Sequence, residues 1–320
     1  DLYDATNDFL RQDQLYSIPS ANRGLIILVI RKLLASSSFA LIETFEVLEK
    51  RLEKLYEGTK SAYAQEGFDL FWGFVEDEID EDGFNEYDDE ETSEKKQAIQ
   101  SELNSVRHIL ETARAIKTNA KITALNEALT SAFDHQASEG LSQKAVVFTE
   151  SKRTQKYIAA ELRKSGYSEE DILLFNGDFD DAMTKEIFRA WQAKNFGKTN
   201  YGRSVEYKHA IVDYFKSHAK VLIVTDAGSE GLNLQFCNTI INYDLPWNPQ
   251  KIEQRIGRCH RYGQTHDVVA INLLNTDNEA DRRVYDILAK KFELFEGVFG
   301  ASDVALGALE SGISFEKRIL

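Results

Sequence analysis

Apolar and polar positions follow two different patterns along the 320-residue chain. Between Leu25 and Leu55, apolar residues recur every three or four positions, which predicts two amphipathic helices that break at residues 36–38, where three serines can cap a restart. Residues 93–138 show the same spacing and predict one or two further helices. Beyond residue 144, short apolar runs alternate with helical segments. The pattern therefore predicts a helical arm followed by an α/β domain.

The second half contains apolar runs with the length and β-branched content of buried strands. These runs cover residues 145–149, 172–175, 221–225, 239–243 and 268–274. Helices are expected from Ser151 to Lys164, from Asp181 to about Lys194, and over 276–297, while an insertion at about 195–208 lengthens the link to the third strand. Strands separated by helices predict a parallel sheet with helices on both faces.

The net charge of −15 is unevenly distributed along the chain. Between Asp69 and Glu94 there are 13 acidic residues and no Lys or Arg. Dense like charge predicts an acidic, mobile loop at about 59–92. The rest of the chain, with 40 acidic against 38 basic residues, is nearly neutral, so the acidic total does not exclude a nucleic-acid partner.

Cysteine content and hydropathy limit the cellular setting. Cys237 and Cys259 are the two cysteines, which fits a reducing compartment and a cytoplasmic protein. Together with the nearby histidines they lack the spacing of a zinc site, so no metal ligand is predicted. No run approaches the roughly 18 apolar residues of a membrane span. The chain does not begin with Met, and we expect a fragment of a longer protein without a membrane partner.

The richest chemistry lies in residues 221–264. Gly228 and Gly231 punctuate the turn after an apolar strand, and a proline-framed link leads to a helix that carries arginines. Arg258 and Arg261 are three positions apart, so we expect them to share one helical face. Two guanidiniums on one face suit a polyanion such as a triphosphate. The alternative is a solvated basic helix face.

Several stretches resemble motifs of one protein family. QRIGRCHRYGQ resembles motif VI of superfamily 2 helicases in the form used by Swi/Snf-like DNA translocases, TDAGSEGLNLQ resembles motif V, and DLPWNPQKIEQ resembles the segment between them. VFTESK and LFNG resemble motifs IV and IVa, although Asn176 stands where relatives more often have His. The chain is similar to bacterial Swi/Snf-like ATPases of the RapA (HepA) kind. The resemblance implies a C-terminal RecA-like lobe.

The resemblance assigns roles around the nucleotide. It implies that Arg258 and Arg261 are arginine fingers that reach the γ-phosphate of ATP held by another lobe, with Gln254 touching the same phosphate or its water. A loop that couples the nucleotide to the nucleic-acid groove would contain Gly228, Glu230 and Gly231. Arg255 faces away from the fingers, and we expect it to form a structural ion pair.

Nucleic-acid candidates stand at or just past the ends of the predicted strands, where hydroxyls, amides and helix N-termini can hold backbone phosphates. They are Thr149, Ser151, Lys152, Asn176, Gly177 and Thr225. Ser151 could equally be a plain helix N-cap. Trp247 between two prolines could stack at the interlobe cleft or anchor the core.

A phosphate-binding loop is not found. Gly197-Lys198-Thr199 has the right ending, but Gln192 stands where the pattern needs Gly, and a helix precedes it. Asp226 ends a strand that resembles Walker B but lacks a second acid. We therefore expect ATP and Mg²⁺ to be held mainly by a missing N-terminal RecA-like lobe, and this fragment alone to be inactive as an ATP hydrolase.

The expected organisation is a helical arm at 1–118 and a RecA-like lobe with C-terminal helices at 119–320. The expected function is the second motor lobe of an ATP-dependent double-stranded-DNA translocase. Two alternatives stay open. One is a helicase-like module that docks a partner such as RNA polymerase, against which the intact Gln254, Arg258 and Arg261 argue. The other is a strand-separating helicase of the DEAD/DEAH type.

Overall fold

The computed structural model describes residues 2–18, 23–57, 93–116, 119–177, 181–197, 201–246, 248–262, 264–275, 282 and 285–286. The acidic segment expected to be mobile, Trp247, Lys198 and most of the helix expected at 276–297 lie outside these residues. The chain divides into two compact units, Asp1–Asn119 and Ala120–Leu320. Across the described ranges, no helix is both long and apolar enough to cross a membrane.

The first unit is helical in its described part. Its helices are α1 (Leu2–Leu10), α2 (Arg23–Ser36), α3 (Ser38–Tyr56) and α4 (Ser93–Arg114). Their apolar faces form one buried cluster that includes Phe9, Phe45 and Val106. The Ser37 hydroxyl accepts a hydrogen bond from the backbone N–H of Ala40, which caps α3. The helix break predicted at this serine is therefore confirmed.

A buried carboxylate organises the turn after α1. Glu102 on α4 is 3% exposed, and its two oxygens accept hydrogen bonds from the backbone N–H groups of Tyr16, at 2.6 Å, and Ser17, at 3.0 Å. The Ser17 hydroxyl donates to the same carboxylate. Because a buried charge needs such donors, this contact ties the segment after α1 to α4.

The second unit is an α/β domain. In chain order its elements are α5 (Ala120–Ser138), β1 (Ala145–Phe148), α6 (Lys152–Lys164), β2 (Ile172–Phe175), α7 (Ala182–Asn195), α8 (Arg203–Ser217), β3 (Val221–Val224), α9 (Asp226–Ser229), β4 (Thr239–Asn242), α10 (Pro249–Cys259) and β5 (Val269–Asn272). Within the described residues, the strands form one five-stranded sheet in the order β2-β3-β1-β4-β5, and every pairing is parallel.

Helices cover both faces of the sheet. Along β1, Val146 and Phe148 join a buried cluster with side chains of α7 and α8. Ala145 and Val147 alternate with them and join a second cluster with side chains of α5 and α6. Since successive strand residues point to opposite faces, these two clusters lie on the two sides of the sheet. The predicted RecA-like parallel sheet with helices on both faces is confirmed.

One helix differs from the sequence expectation. We expected an insertion over about 195–208, whereas α8 begins within it at Arg203 and runs to Ser217. Its buried residues Tyr207, Ile211 and Phe215 recur at four-residue spacing, a helical signal that the interpretation as an insertion missed. Lys144, which precedes β1, donates from its Nζ to the carbonyls of Phe215 and Ala219, and these bonds satisfy the end of α8.

Both cysteines are buried in the same core cluster and carry free thiols. The Cys237 thiol donates to the Lys144 carbonyl, with the sulfur 3.4 Å from the oxygen. A hydrogen bond with Cys237, followed by burial, raises the pKa of the Cys259 thiol well above its usual value. The sheet and α10 therefore enclose two buried thiols, and the environment of Cys259 favours its protonated form.

Candidate functional site

The parallel register brings the carboxyl ends of four strands to one edge of the sheet. Phe148 at the end of β1 pairs with Val224 of β3 and Asn242 of β4, and Phe175 of β2 pairs with the same Val224. Ligands of open α/β sheets bind outside the carboxyl ends of the strands. The segments that follow these four residues therefore form the candidate site.

The loops after β2 and β3 are joined through Thr225. Its backbone N–H donates to the carbonyl of Phe175 at 3.3 Å, and its hydroxyl donates to the carbonyl of Asn176 at 3.3 Å. The same hydroxyl oxygen accepts the N–H of Gly228 at 3.2 Å and caps α9. Thr225 is buried, so its hydroxyl holds the two loops together.

Gly228 lies where two backbones meet. A Cβ at this position would lie 2.6 Å from the carbonyl oxygen of Phe175 and 2.8 Å from Cα of Asn176. Gly177 packs against Gly228 with a φ of +91°, a conformation that favours glycine. Only glycine therefore permits the close approach of the loops after β2 and β3.

The end of the β3 loop is held by α8. The Nζ of Lys208 donates to the carbonyl of Glu230 at 2.7 Å. Gly231 follows with a φ of +77°, which turns the chain, and the side chain of Glu230 is exposed. This places Gly228 inside the loop packing and leaves Glu230 and Gly231 on the surface.

The loop after β1 is organised by Asp244. Thr149 is fully buried and its hydroxyl donates to Oδ2 of Asp244 at 2.6 Å, while the N–H of Glu150 donates to the same oxygen at 3.2 Å. The ammonium of Lys121 lies 3.4 Å from the other oxygen. This differs from the expectation for Thr149, because a buried hydroxyl that already donates to a carboxylate cannot also reach a phosphate.

Ser151 begins α6 as its N-cap. Its hydroxyl oxygen accepts the backbone N–H groups of Arg153 at 3.2 Å and Thr154 at 3.5 Å. The capping role is therefore confirmed, and Ser151 is 9% exposed. Lys152 in the first turn of the helix is exposed. A helix N-terminus with an adjacent ammonium can hold a phosphate.

Arg255 is the most completely bonded arginine of α10. Its Nε and Nη2 donate to the two carboxylate oxygens of Asp226, at 2.7 and 3.0 Å. Its Nη1 donates to Oδ1 of Asn242 and to the carbonyl of Asp244, both at 2.9 Å. Its guanidinium carbon lies 4.9 Å from the ring centroid of Phe148. The structural ion pair expected for Arg255 is confirmed.

Arg258 has a different environment. It is half-buried, and among the described residues its side chain has no ion pair, while its buried Nε has no hydrogen-bond partner. Gln254, one turn earlier, is exposed on the same face. An unpaired buried N–H of a charged group is costly, and it distinguishes the surroundings of Arg258 from those of Arg255.

The expected shared helical face for Arg258 and Arg261 needs a correction. The helix ends at Cys259, and His260 follows in an extended conformation. Arg261 therefore lies beyond the helix. Its Nε donates back to the carbonyl of Gly257 at 3.2 Å, which brings the exposed guanidinium over the last turn.

Two glutamines fix the turn that contains Arg261. The Nε2 of Gln264 donates to the carbonyls of Gln235, at 2.7 Å, and Cys259, at 3.3 Å. The Nε2 of Gln235 donates to the carbonyl of Tyr262 at 2.9 Å. The amide side chains thus connect the turn after α10 to the segment that precedes β4.

Comparison with known proteins identifies this α/β unit. Residues 120–263 match the family of the helicase conserved C-terminal domain. This part of the chain belongs to that family. The resemblance to the C-terminal lobe of Swi/Snf-like superfamily 2 helicases is confirmed, and the loops described above belong to a helicase domain.

Proteins similar to the helicase domain include an ATP-dependent helicase, an RNA polymerase-associated protein and an RNA helicase. An uncharacterized ATP-dependent helicase, YqhH of Bacillus subtilis, is 36% identical over 179 residues, which is 56% of this chain and 27% of that protein. The RNA polymerase-associated protein RapA of Serratia proteamaculans is 38% identical over 87 residues, 26% of this chain and 9% of that protein. The ATP-dependent RNA helicase DBP8 of Lodderomyces elongisporus is 28% identical over 178 residues, 52% of this chain and 39% of that protein. The chain spans well under half of each relative.

Some residues of the helicase domain site were not singled out from sequence. Asp226 was noted only as the end of a strand, and its bonds to Arg255 were not anticipated. The bond of Asp244 to Thr149 and the bonds of Asn242 and Gln264 were not anticipated either. A signal was present, because Asp226 and Asp244 each directly follow an apolar run that was predicted as a strand. Across the described residues, no cluster of three or more His, Cys, Asp or Glu side chains could hold a metal ion.

Proposed function

We propose that this chain supplies the second motor lobe of an ATP-dependent double-stranded-DNA translocase, with Arg258 and Arg261 as arginine fingers. The observation that carries the proposal is the contrast within α10. Arg255 uses its donors on Asp226, Asn242 and Asp244, whereas Arg258 keeps a buried Nε without an acceptor among the described residues. A nucleotide held by the N-terminal lobe of the same protein would pair with the accessible part of the half-buried Arg258 side chain.

The proposed chemistry is electrostatic. During phosphoryl transfer, charge spreads over the equatorial oxygens of the γ-phosphoryl group, and preorganised guanidiniums stabilise it. Arg258 would approach from the last turn of α10 and Arg261 from the turn that Gln264 holds. Gln254 would orient the phosphate or its attacking water. ATP and Mg²⁺ would be bound mainly by the other lobe, so this chain alone would not hydrolyse ATP.

The proposed nucleic-acid surface lies on the loops after β1, β2 and β3. Ser151 and Lys152 offer a helix N-terminus and an ammonium, and Gly177 offers a close backbone approach. Asn176 lies beside it, half-buried, while Thr149 and Thr225 support the surface from below. Gly228, Glu230 and Gly231 would connect these loops to the nucleotide. Such contacts hold phosphates and do not read bases.

Two experiments on the full-length protein test the substrate. Triplex displacement measures translocation along double-stranded DNA, and strand-separation assays on DNA and RNA duplexes measure unwinding. We expect ATP-dependent triplex displacement without strand separation. Unwinding of RNA duplexes without triplex displacement would instead establish the strand-separating helicase, a candidate favoured by the likeness to the RNA helicase DBP8.

A docking function is the other candidate. The likeness to a protein named as RNA polymerase-associated favours RNA polymerase as a partner. Docking alone does not require the helical face formed by Gln254 and Arg258. We therefore propose that polymerase binding accompanies the motor function and does not replace it. We further propose that the helical unit up to about residue 118 is an arm of this motor, and that the protein is cytoplasmic.

A further inference from the structure

One continuous path of hydrogen bonds crosses the helicase domain beneath its candidate surface. At its centre is Arg255, which is 2% exposed and bonded to Asp226, Asn242 and Asp244. Its guanidinium lies over the Phe148 ring. A buried guanidinium with these partners has no alternative position of similar energy, because any displacement leaves a charge without partners.

The hydrogen-bond path reaches the loop after β1 at one end and the joined loops after β2 and β3 at the other end. On one side, Asp244 binds the hydroxyl of Thr149 and the N–H of Glu150 in the loop after β1. On the other side, Asp226 is the first residue of α9, whose N-cap Thr225 donates to the carbonyl of Asn176. A shift of either loop is therefore transmitted to a group that Arg255 holds.

Arg255 and the finger Arg258 are one turn apart on the same helix. An α-helix of eleven residues moves as a rigid element, so the side chain that fixes α10 also sets the position of Arg258. Lys251, on the same helix, adds a longer contact of 3.8 Å to Asp226. The charge of Asp226 thus holds α10 at two points.

We infer that Arg255 is a positioning residue through which nucleic acid bound at the loops after β1 and β3 sets the position of Arg258 for hydrolysis. A phosphate held at those loops changes the position of Asp226 or Asp244, and α10 follows. This inference rests on the proposed function, because it requires Arg258 to act on a nucleotide.

The test measures coupling in the full-length protein. Asp226→Asn keeps the size of the side chain and removes the charge that binds the Arg255 fork. The readout is the ratio of ATP turnover with saturating double-stranded DNA to turnover without DNA. We expect this ratio to fall about 10-fold, within the usual range of coupling between sites. DNA and nucleotide affinities, measured by equilibrium titration, should stay close to wild type.

A matched control lies at the opposite edge of the sheet. Asp171 pairs with Lys220 at 3.2 Å just before β2 and β3. Asp171→Asn makes the same chemical change away from the path, and its ratio should equal that of the wild type. A second variant, Asp244→Asn, leaves Lys251 and its contact with Asp226 untouched. Asp244→Asn should also lower the ratio of turnover with DNA to turnover without DNA. If Asp226→Asn does not fold, the ratio measured for Asp244→Asn tests the inference by itself.

The outcomes separate coupling from stability and from the proposed function. A purely structural role would lower both turnover rates in parallel and leave the ratio unchanged, which overturns the inference. If Arg258→Ala abolishes turnover while Asp226→Asn keeps the wild-type ratio, the coupling is wrong and the finger assignment stands. If Arg258→Ala hydrolyses ATP at the wild-type rate, the proposed function itself fails.

Discussion

Arg255 and Arg258 lie one turn apart on α10 and have opposite surroundings. Arg255 is buried with its fork on Asp226, whereas the buried Nε of Arg258 has no acceptor within the described residues. Both side chains carry the same charge, so the difference in their contacts comes from their positions on the helix. Arg255 is the one directed at Asp226 and Asn242 at the sheet edge. Arg255 therefore completes the fold, whereas Arg258 makes no comparable ion pair within the described residues.

The first prediction concerns the Arg258 side chain. In the full-length protein, Arg258→Ala should lower ATP turnover by roughly 10³-fold or more, as for other arginine fingers. Arg261→Ala should act in the same direction. Steady-state hydrolysis with and without DNA measures the effect. ATP affinity should change little, because a finger acts mainly on the transition state.

Arg258→Lys is the matched variant for that prediction. It keeps the positive charge but lacks the planar fork, so turnover should stay low. Near-normal hydrolysis combined with lost DNA binding, in either alanine variant, would show that this face of α10 contacts nucleic acid instead of ATP.

A second prediction concerns the chain in isolation. Without a phosphate-binding loop it should show no ATPase activity above background, with or without DNA. A sensitive phosphate-release assay on the purified chain measures this, and Lys198→Ala is the control. Turnover that survived Lys198→Ala would refute the assignment to a second lobe, and turnover abolished by it would make Gly197–Thr199 the real loop.

Periodicity was sufficient to predict most of the fold. The strand 172–175 was predicted to the residue, and the other strands differ at their ends because the last apolar residue of a run need not pair. The strand order β2-β3-β1-β4-β5 could not be predicted, because pairing depends on contacts between distant parts of the chain. Helix α8 was missed because its polar surface residues hid the spacing of Tyr207, Ile211 and Phe215.

For the site, residue types were more predictable than their surroundings. The sequence indicated a structural ion pair for Arg255, and the structure pairs its fork with Asp226. The sequence did not indicate that Thr149 is buried against Asp244, which is 95 positions away along the chain. Similarly, the extended His260 that ends α10 before Arg261 depends on the fixed turn beyond it.

A third prediction tests the contact between the loops after β2 and β3. Gly228→Ala should destabilise the domain by about 2 kcal/mol or more, because the new methyl group would lie 2.6 Å from the Phe175 carbonyl oxygen. Gly257→Ala on α10 is the control. With no atom within 4 Å of its Cβ, it should be neutral or stabilising by up to about 1 kcal/mol. Urea unfolding of both variants measures this, and equal effects would contradict the close approach of the two loops at Gly228.

A fourth prediction concerns acid stability. Burial by itself raises the pKa of Asp171, but hydrogen bonds from Ser168 and the ammonium of Lys220 outweigh it, so the pKa lies below its usual value. The carboxylate therefore contributes stability above the unfolded-state pKa of about 3.9, and this is lost as the pH falls through the lower folded-state pKa. Asp171→Asn should be less stable than wild type at neutral pH.

That difference should shrink as the pH is lowered toward about 3, since the wild type then loses the same contribution. Urea titrations at several pH values measure it, and Glu169→Gln, which removes an exposed partner of Arg163, is a control with a small effect. A difference that stayed constant across the acid range would show that Asp171 is not the group that titrates.

The two enclosed thiols make the helicase domain convenient for fluorescence spectroscopy. Cys237 and Cys259 are both fully buried, so maleimide dyes have no access to their sulfur atoms in the folded domain. A cysteine introduced at the exposed Lys152 or Tyr262 would take up dye selectively, with no need to remove the native pair. Dyes at these two positions, each paired with one on the proposed N-terminal lobe, would test in real time whether the two lobes close during single turnovers.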